Sequence, residues 1–462
     1  MTTVEEPSTS DAAEERLPFY MRGNYAPVGD EVEAFDLPVV GSIPAELDGR
    51  FVRNGANPAE GIPMHWFDGD GMLHGIRLRD GKAEWYRNRW VRTKLLAGEP
   101  RMNPETFEFD LSAGRANTHV VRHAGRILAL EEGSFPNEIG PDLATIGPTD
   151  FAGTVTTPVT AHPHTCAETG EMHFFGYELV SMPYVTYYVA DPSGSVIHKQ
   201  PIEIPAPVMM HDFALSRNHA IFLDLPVVFD LDIALSGGGM PFQWRPSNGS
   251  RIGLLDRRNV GSGEPAQPRW FEVDDCYVFH IVNAWEEDDG NVVVLDAGRH
   301  PSMWAGGDDS FEPCYLWRWR FDLRTGKVTE QQLDDREHAF PRIDDRRTGL
   351  ANQFGWAVTD RPGEKIRTDV ATNIVKYDVV SGESSHHDFG STTSCGEPVF
   401  VPASDSAGED EGWLLTYTYD RATESSSFVV LDAADMSAGP VAEVALPQRV
   451  PHGFHGSWFP DA

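Results

Sequence analysis

Apolar and polar positions along this chain seldom recur with the 3.6-residue period of an amphipathic helix; short runs rich in β-branched and aromatic residues recur instead. "RILALEE" (126–132), "EMHFFGYELV" (171–180), "PYVTYYVAD" (183–191), "HAIFLDLPVVFDL" (219–231), "NVVVLDAG" (291–298), "CYLWRWRFDL" (314–323), "NIVKYDVV" (373–380), "GWLLTYTYD" (412–420) and "SFVVLDAAD" (427–435) each predict a strand or a strand pair. Four of the connections share one device, an Asp followed by a Gly: Asp191 and Gly194, Asp322 and Gly326, Asp378 and Gly382, Asp435 and Gly439. An Asp side chain caps such a turn and a Gly takes its left-handed residue, so each predicts a hairpin. The chain is therefore read as all-β. Hairpins repeated over this length favour a β-propeller over a sandwich, although no strict repeat period fixes the number of blades.

Residues 1–17 are acidic and polar and read as a disordered tail, and "PASDSAGEDEG" (402–412) reads as an exposed acidic loop. Nothing else resembles a linker, so 18–462 is taken as a single propeller domain. A hydrophobic content of 40% suits a globular core, yet no window approaches the roughly 18 consecutive apolar residues of a membrane span. The N-terminus lacks the basic and then apolar stretch of a secretory signal, and a cytoplasmic location is expected. Cys166, Cys276, Cys314 and Cys395 are too scattered for a disulfide framework and form no Cys-x-x-Cys pair; they are expected to be reduced and buried. A net charge of −34 repels phosphate backbones and anionic lipid, which excludes nucleic acid as a partner and leaves at most weak peripheral membrane contact.

Four of the 17 His lie in apolar or β-rich surroundings on separate predicted strands: His162, His211, His280 and His455. Singly, each reads as a hydrogen-bonded core residue. Together, in a propeller whose inner strands meet on one axis, they could form a ring of neutral imidazoles able to hold a transition metal, with iron, zinc and copper all suited by ligand type.

Seven ordered motifs carry a more specific message: "GRFVRNGANP" (49–58), "HWFDGDGMLHG" (65–75), "TAHPH" (160–164), "MMHDFALSRNHAIFLDLP" (209–226), "FHIVNAWEEDDGNVVVLD" (279–296), "GEPVFVP" (396–402) and "VPHGFHGSWFP" (450–460). In these the chain resembles the carotenoid cleavage oxygenases from about residue 18 onward. The resemblance implies a seven-bladed propeller with a loop and helix cap over one face and an axial non-haem Fe(II), held by His162, His211, His280 and His455. His164 and His452, beside two of these, are not implied as ligands, and His65 and His74 read as structural. Family members orient their ligand imidazoles with three Glu. Glu132 and Glu397 match two of them, but in "REHAFPRID" (336–344) Ala339 stands where the third belongs. Glu337, two residues earlier on the same strand face, is the candidate substitute; the alternative is that water orients His280. Thr118, fourteen residues before Glu132, matches a Thr that crowds an open metal position.

The implied reaction is O2-dependent cleavage of a conjugated C=C bond of a carotenoid or apocarotenoid to aldehyde or ketone products. The family's alternative is cleavage of phenylpropene or stilbene side chains to aromatic aldehydes. Members that cleave phenolic stilbenes carry a Lys where this chain has Glu131, together with an upstream Tyr, and residues 91–118 contain no Tyr. Trp90, Phe135 and Trp304 are candidate apolar walls for the substrate, and "RWVRTKLLAG" (89–98) is the candidate apolar face toward membrane or micelle. A reading of a different class is a non-catalytic propeller that binds partners, with the four His as packed core.

Overall fold

The computed structural model describes residues 17–461 apart from 104, 107, 237–239, 261–265, 307–310 and 361–370; the expected disordered tail lies, but for Leu17, outside the described residues. Several predicted runs form strands buried at every position, among them Met172–Tyr177, Val185–Ala190 and His219–Asp224, and so does Gly49–Ala56 in the first motif, which is not among the predicted strands. Strands covered on both faces need apolar residues on both, which is why the sequence shows runs instead of strict alternation. Outer strands are more exposed: along Val196–Ile202 buried or half-buried positions alternate with exposed ones, and most of Ser384–Asp388 faces solvent.

The strands assemble into antiparallel blades. One holds Glu33–Leu37, Lys82–Trp90, Gly71–Arg79, Gly49–Ala56 and, at its edge, Gly456–Pro460. Three four-stranded blades follow, spanning His119–Pro148, His164–Ile202 and Ala214–Glu272. Two more share a continuous strand, Val328–Arg342, whose first part pairs with Tyr315–Asp322 and whose last part pairs with Phe354–Thr359. The last blade, built on Gly412–Asp420 and Ser425–Asp432, takes Val39–Gly41 onto its edge strand Ala442–Ala445. Seven blades result, and the ring closes twice, through Gly456–Pro460 on Gly49–Ala56 and through Val39–Gly41 on Ala442–Ala445. At the second closure Gly41 has φ +82°, and a Cβ there would lie 2.2 Å from the Val441 carbonyl, so only Gly fits. A short helix, Leu231–Ser236, and a two-stranded ribbon, Val227–Phe229 with Phe242–Trp244, stand over one face.

Three of the four turns close as expected: the N–H of Gly194, Gly326 and Gly382 donates to the carbonyl of Asp191, Asp322 and Asp378 at 2.8 Å in each case. The fourth departs. There Ala438 N–H closes onto Asp435, and Gly439 does not adopt positive φ. The 402–412 segment is exposed or half-buried from 402 to 411, as its composition suggests, yet it is tied to the neighbouring blade. Arg346 donates to the carbonyls of Ser404 and Asp405, and Glu409, half-buried, accepts from the N–H of both Gln353 and Phe354 at 2.7 Å. All four Cys are buried free thiols. Among the described residues no helix is long and apolar enough to cross a membrane.

Candidate metal centre and its cavity

Each of the four His is positioned by its own stretch of backbone. His162 follows Thr160, whose hydroxyl accepts the His162 N–H at 3.1 Å. His211 precedes the strand Ala214–Leu215, and Asp212 beside it accepts from the Ile281 N–H at 2.8 Å, tying the His211 loop to the strand that carries His280. His280 sits at a register shift between Val278 and Ile281, which re-aims its ring. His455 opens the closing strand: its N–H donates to the Thr118 carbonyl at 3.1 Å and its carbonyl accepts from Asn54 at 2.9 Å.

These backbones bring one ring nitrogen from each His within 4.8 Å of the others. Nε2 of His162 lies 2.9 Å from Nε2 of His211, and Nε2 of His280 lies 3.1 Å from Nε2 of His455. The rings are tilted by 58° to 83° to one another, so they converge without stacking. Carboxylates fix the tautomer of two. His455 Nδ1–H donates to Glu397 at 2.9 Å and Gly456 N–H donates to the other Glu397 oxygen at 2.8 Å, while His211 Nδ1 contacts Glu132, which also accepts from the Tyr177 hydroxyl at 2.5 Å. With the proton held at Nδ1, each Nε2 turns a lone pair inward. Burial, reinforced by neighbouring imidazoles, holds His162 and His280 well below the usual histidine range, and so neutral. The Nε2 atoms of His211 and His455, their lone pairs aimed inward, thus face Nε2 of His162 and His280 across about 3 Å, an arrangement whose four ring nitrogens a transition-metal cation would satisfy at once.

Glu397 is enclosed. Burial pushes its carboxyl up, but Arg342 and His455 outweigh this and bring it down to about 2. Thr118 is half-buried and lines the cavity beside His455; its hydroxyl donates to Asn117. Ala339 also lines the cavity, whereas Glu337 does not, and the largest influences on His280 after burial are imidazoles. His164 donates to Asp212 at 2.9 Å and His452 packs against Tyr25, so both serve the scaffold. His74 bonds the Tyr86 hydroxyl. His65 accepts from Phe67 N–H and in addition lines the cavity, more than a purely structural residue would do.

The cavity has a volume of about 1000 Å³ and walls of Phe67, Leu179, Met209, Phe279, Phe311 and Phe454. Of the expected substrate residues only Glu131 lines it; the carboxylate is buried, with Arg101 3.7 Å away. Trp90 instead donates its indole N–H to Asn57 at the side of the first blade. Phe135 packs into the core under Leu130 and Phe174, and Trp304 stands behind Phe279 and Phe311. The segment 89–98 offers no exposed apolar face, because Val91 is buried and Leu95 and Leu96 are half-buried. Exposed apolar side chains gather at the cavity mouth in Met64, Phe109 and Val180. Two residues near the metal site escaped the sequence reading. His119 donates Nδ1–H to the Ala161 carbonyl and packs against His162 and His455, and Phe340, at φ +50°, lies 5.3 Å from the rings of both His280 and His455.

Several buried imidazoles away from the metal cluster predict an acid-sensitive fold. Burial lowers His300 to about 4 and His338 and His452 to about 3. Each is neutral when folded and binds a proton near 6.5 when unfolded, so stability is full above that value and falls as pH drops toward 4. Each such group contributes about 1.4 kcal/mol per pH unit within this window. Thermal unfolding of metal-free protein from pH 8 to pH 4 should show a flat Tm above pH 7 and a progressive fall below 6.5; a flat Tm down to pH 5 would contradict it.

A family model described as retinal pigment epithelial membrane protein matches residues 25–460. The carotenoid cleavage oxygenase of Mycobacterium tuberculosis is 39% identical over 98% of this chain and 99% of its own. A carotenoid 9,10(9',10')-cleavage dioxygenase of Arabidopsis thaliana is 34% identical over 94% of this chain and 89% of its own. The crystal structure of Pseudomonas brassicacearum lignostilbene dioxygenase superposes with a TM-score of 0.85 at 29% identity, covering 96% of this chain and 99% of that one.

Proposed function

Because the chain belongs to the carotenoid cleavage oxygenase family, whose members are non-haem iron dioxygenases, we propose that it holds Fe(II) through His162, His211, His280 and His455 and cleaves a conjugated C=C bond of a carotenoid or apocarotenoid with O2. The observation that carries this reading is the convergence of four imidazoles at an apolar cavity large enough for a polyene. Bound there, Fe(II) supplies O2 activation beside the double bond, its full charge retained because all four ligands are neutral.

The chain's own residues do the rest. Glu132 and Glu397 hold the Nδ1 protons of His211 and His455 and so aim both rings. Thr118 narrows the space beside the metal, and the aromatic walls exclude water from the reacting bond. Ala339, and not Glu337, stands at the cavity wall.

A second reading, cleavage of a stilbene or phenylpropene side chain, is favoured by the likeness to lignostilbene dioxygenase. Against it, Arg101 at the cavity wall is paired with Glu131 at 3.7 Å, and the Tyr177 hydroxyl is engaged by Glu132. With a strongly acidic chain disfavouring anionic lipid, a shorter apocarotenal suits the cavity better than an intact carotene. Incubating Fe(II)-loaded protein in air with β-carotene, an apocarotenal, a hydroxystilbene and isoeugenol, followed by mass spectrometry, decides the matter. Polyene aldehydes from the carotenoid substrates alone are expected; aromatic aldehydes would establish the second reading instead.

A further inference from the structure

The cavity wall formed by His338, Cys314 and Gly298 contains a polar feature that the metal site does not use. His338 is 1% exposed, yet neither ring nitrogen has a hydrogen-bond partner. Other buried imidazoles nearby are satisfied: His300 donates to the Glu312 carbonyl at 2.6 Å, and His119 donates to that of Ala161. An unpartnered buried polar ring is destabilising unless something in the cavity meets it.

His338 is reachable from the cavity because Gly298 stands in front of it. A Cβ at Gly298 would lie 2.7 Å from the Cys314 sulfur and 3.2 Å from His338 Nε2, so any larger residue would close the approach. All three residues line the cavity. The ring is braced edge-on against Tyr377, with centroids 5.8 Å apart, and its backbone N–H donates to the Cys314 carbonyl at 3.0 Å.

Building on the polyene reading above, we propose that this wall is a subsite for a neutral oxygen function of the substrate, a hydroxyl or an aldehyde carbonyl, hydrogen-bonded by His338. Deep burial keeps the imidazole uncharged, so it offers one N–H donor and one acceptor. That pair matches a hydroxyl on both counts and a carbonyl on one. It gives no counter-charge to a carboxylate, whose desolvation at this buried wall outweighs the one hydrogen bond it could accept. An end-group oxygen held at this wall would fix how far the polyene runs past the metal, and hence which double bond is presented.

The test uses the full chain without metal, so that binding is read apart from turnover. Tryptophan fluorescence quenching gives Kd for four polyenes of equal length ending in a methyl group, an alcohol, an aldehyde and a carboxylate. Wild type should bind the alcohol and aldehyde about 10-fold more tightly than the hydrocarbon, the effect of one buried hydrogen bond. His338→Leu should remove that preference and leave hydrocarbon binding within about twofold, and His338→Gln should restore part of it. Gly298→Ala, which narrows the approach and leaves His338 in place, should also reduce the preference. Equal binding of all four polyenes by wild type, or an equal change across the panel in His338→Leu, would overturn the proposal. In the Fe(II)-loaded protein, bound iron should be the same for wild type and His338→Leu; a loss of iron would make His338 a support for His280 and overturn the subsite. Absence of polyene products from wild type would refute the oxygenase reading separately, since the binding preference stands or falls without it.

Discussion

Glu397→Ala is expected to destabilise the fold by about 3–5 kcal/mol, the effect of leaving one member of a buried ion pair uncompensated. It should also weaken metal binding about 10–100-fold, as loss of a ligand's orienting partner does. The two effects have one origin. The Glu397 carboxylate receives His455 Nδ1–H and Gly456 N–H and lies 3.4 Å from the Arg342 guanidinium, in a place where water cannot stand in for it. Without it Arg342, half-buried and otherwise facing Asp345 at 3.4 Å, lacks its main counter-charge, and His455 is free to present either tautomer. Glu397→Gln separates the contributions: it keeps a carbonyl oxygen for His455 but removes the charge opposite Arg342. Denaturant unfolding with and without metal measures both. If Glu397→Ala proves as stable as wild type, the pair with Arg342 is not the buried, water-excluded contact described above.

The second large effect concerns the ligands themselves. His211→Ala should reduce bound iron to well under one ion per chain and abolish turnover, a larger loss than the roughly 100-fold that follows removal of an orienting partner. It also leaves Glu132 without the imidazole it contacts. Metal content by mass spectrometry, beside far-UV circular dichroism to show that the propeller is intact, is the decisive measurement. A folded His211→Ala protein that kept its iron and its activity would refute the four-imidazole site. A wild type that held no metal and bound small molecules regardless would favour the scaffold reading.

Much of this arrangement was legible before any coordinates. Strand runs were visible because inner strands are covered on both faces, and the Asp–Gly turns were visible because the geometry demands those residues. Blade number came only with the family resemblance and not from strand spacing, because Val328–Arg342 passes from the edge of one sheet into the next without a turn, and no spacing marks the boundary. Turn chemistry failed at Asp435, where Ala438 closes the turn. The four His were legible only through the motifs around them, since their separations carry no local metal pattern. Trp90, Phe135 and Trp304 show the limit on the substrate side: large aromatics bury themselves wherever a core has room, and only topology tells a cavity wall from packing behind it. The substitution at Ala339 pointed to a change in the cavity wall, yet the residue it drew attention to was Glu337, and His338 between them was overlooked.

The double closure of the ring has a consequence for how a bound ion leaves. His455 is the first residue of the segment that pairs Gly456–Pro460 with Gly49–Ala56, and its backbone is tied to Thr118 and Asn54. A local opening that frees only this short edge strand withdraws one of four ligands while the rest of the propeller stands, and the second closure at Val39–Gly41 keeps the ring from unravelling. The expected result is that amide exchange along 456–460 and release of the ion to a chelator report one opening rate; release much faster than that exchange would contradict it.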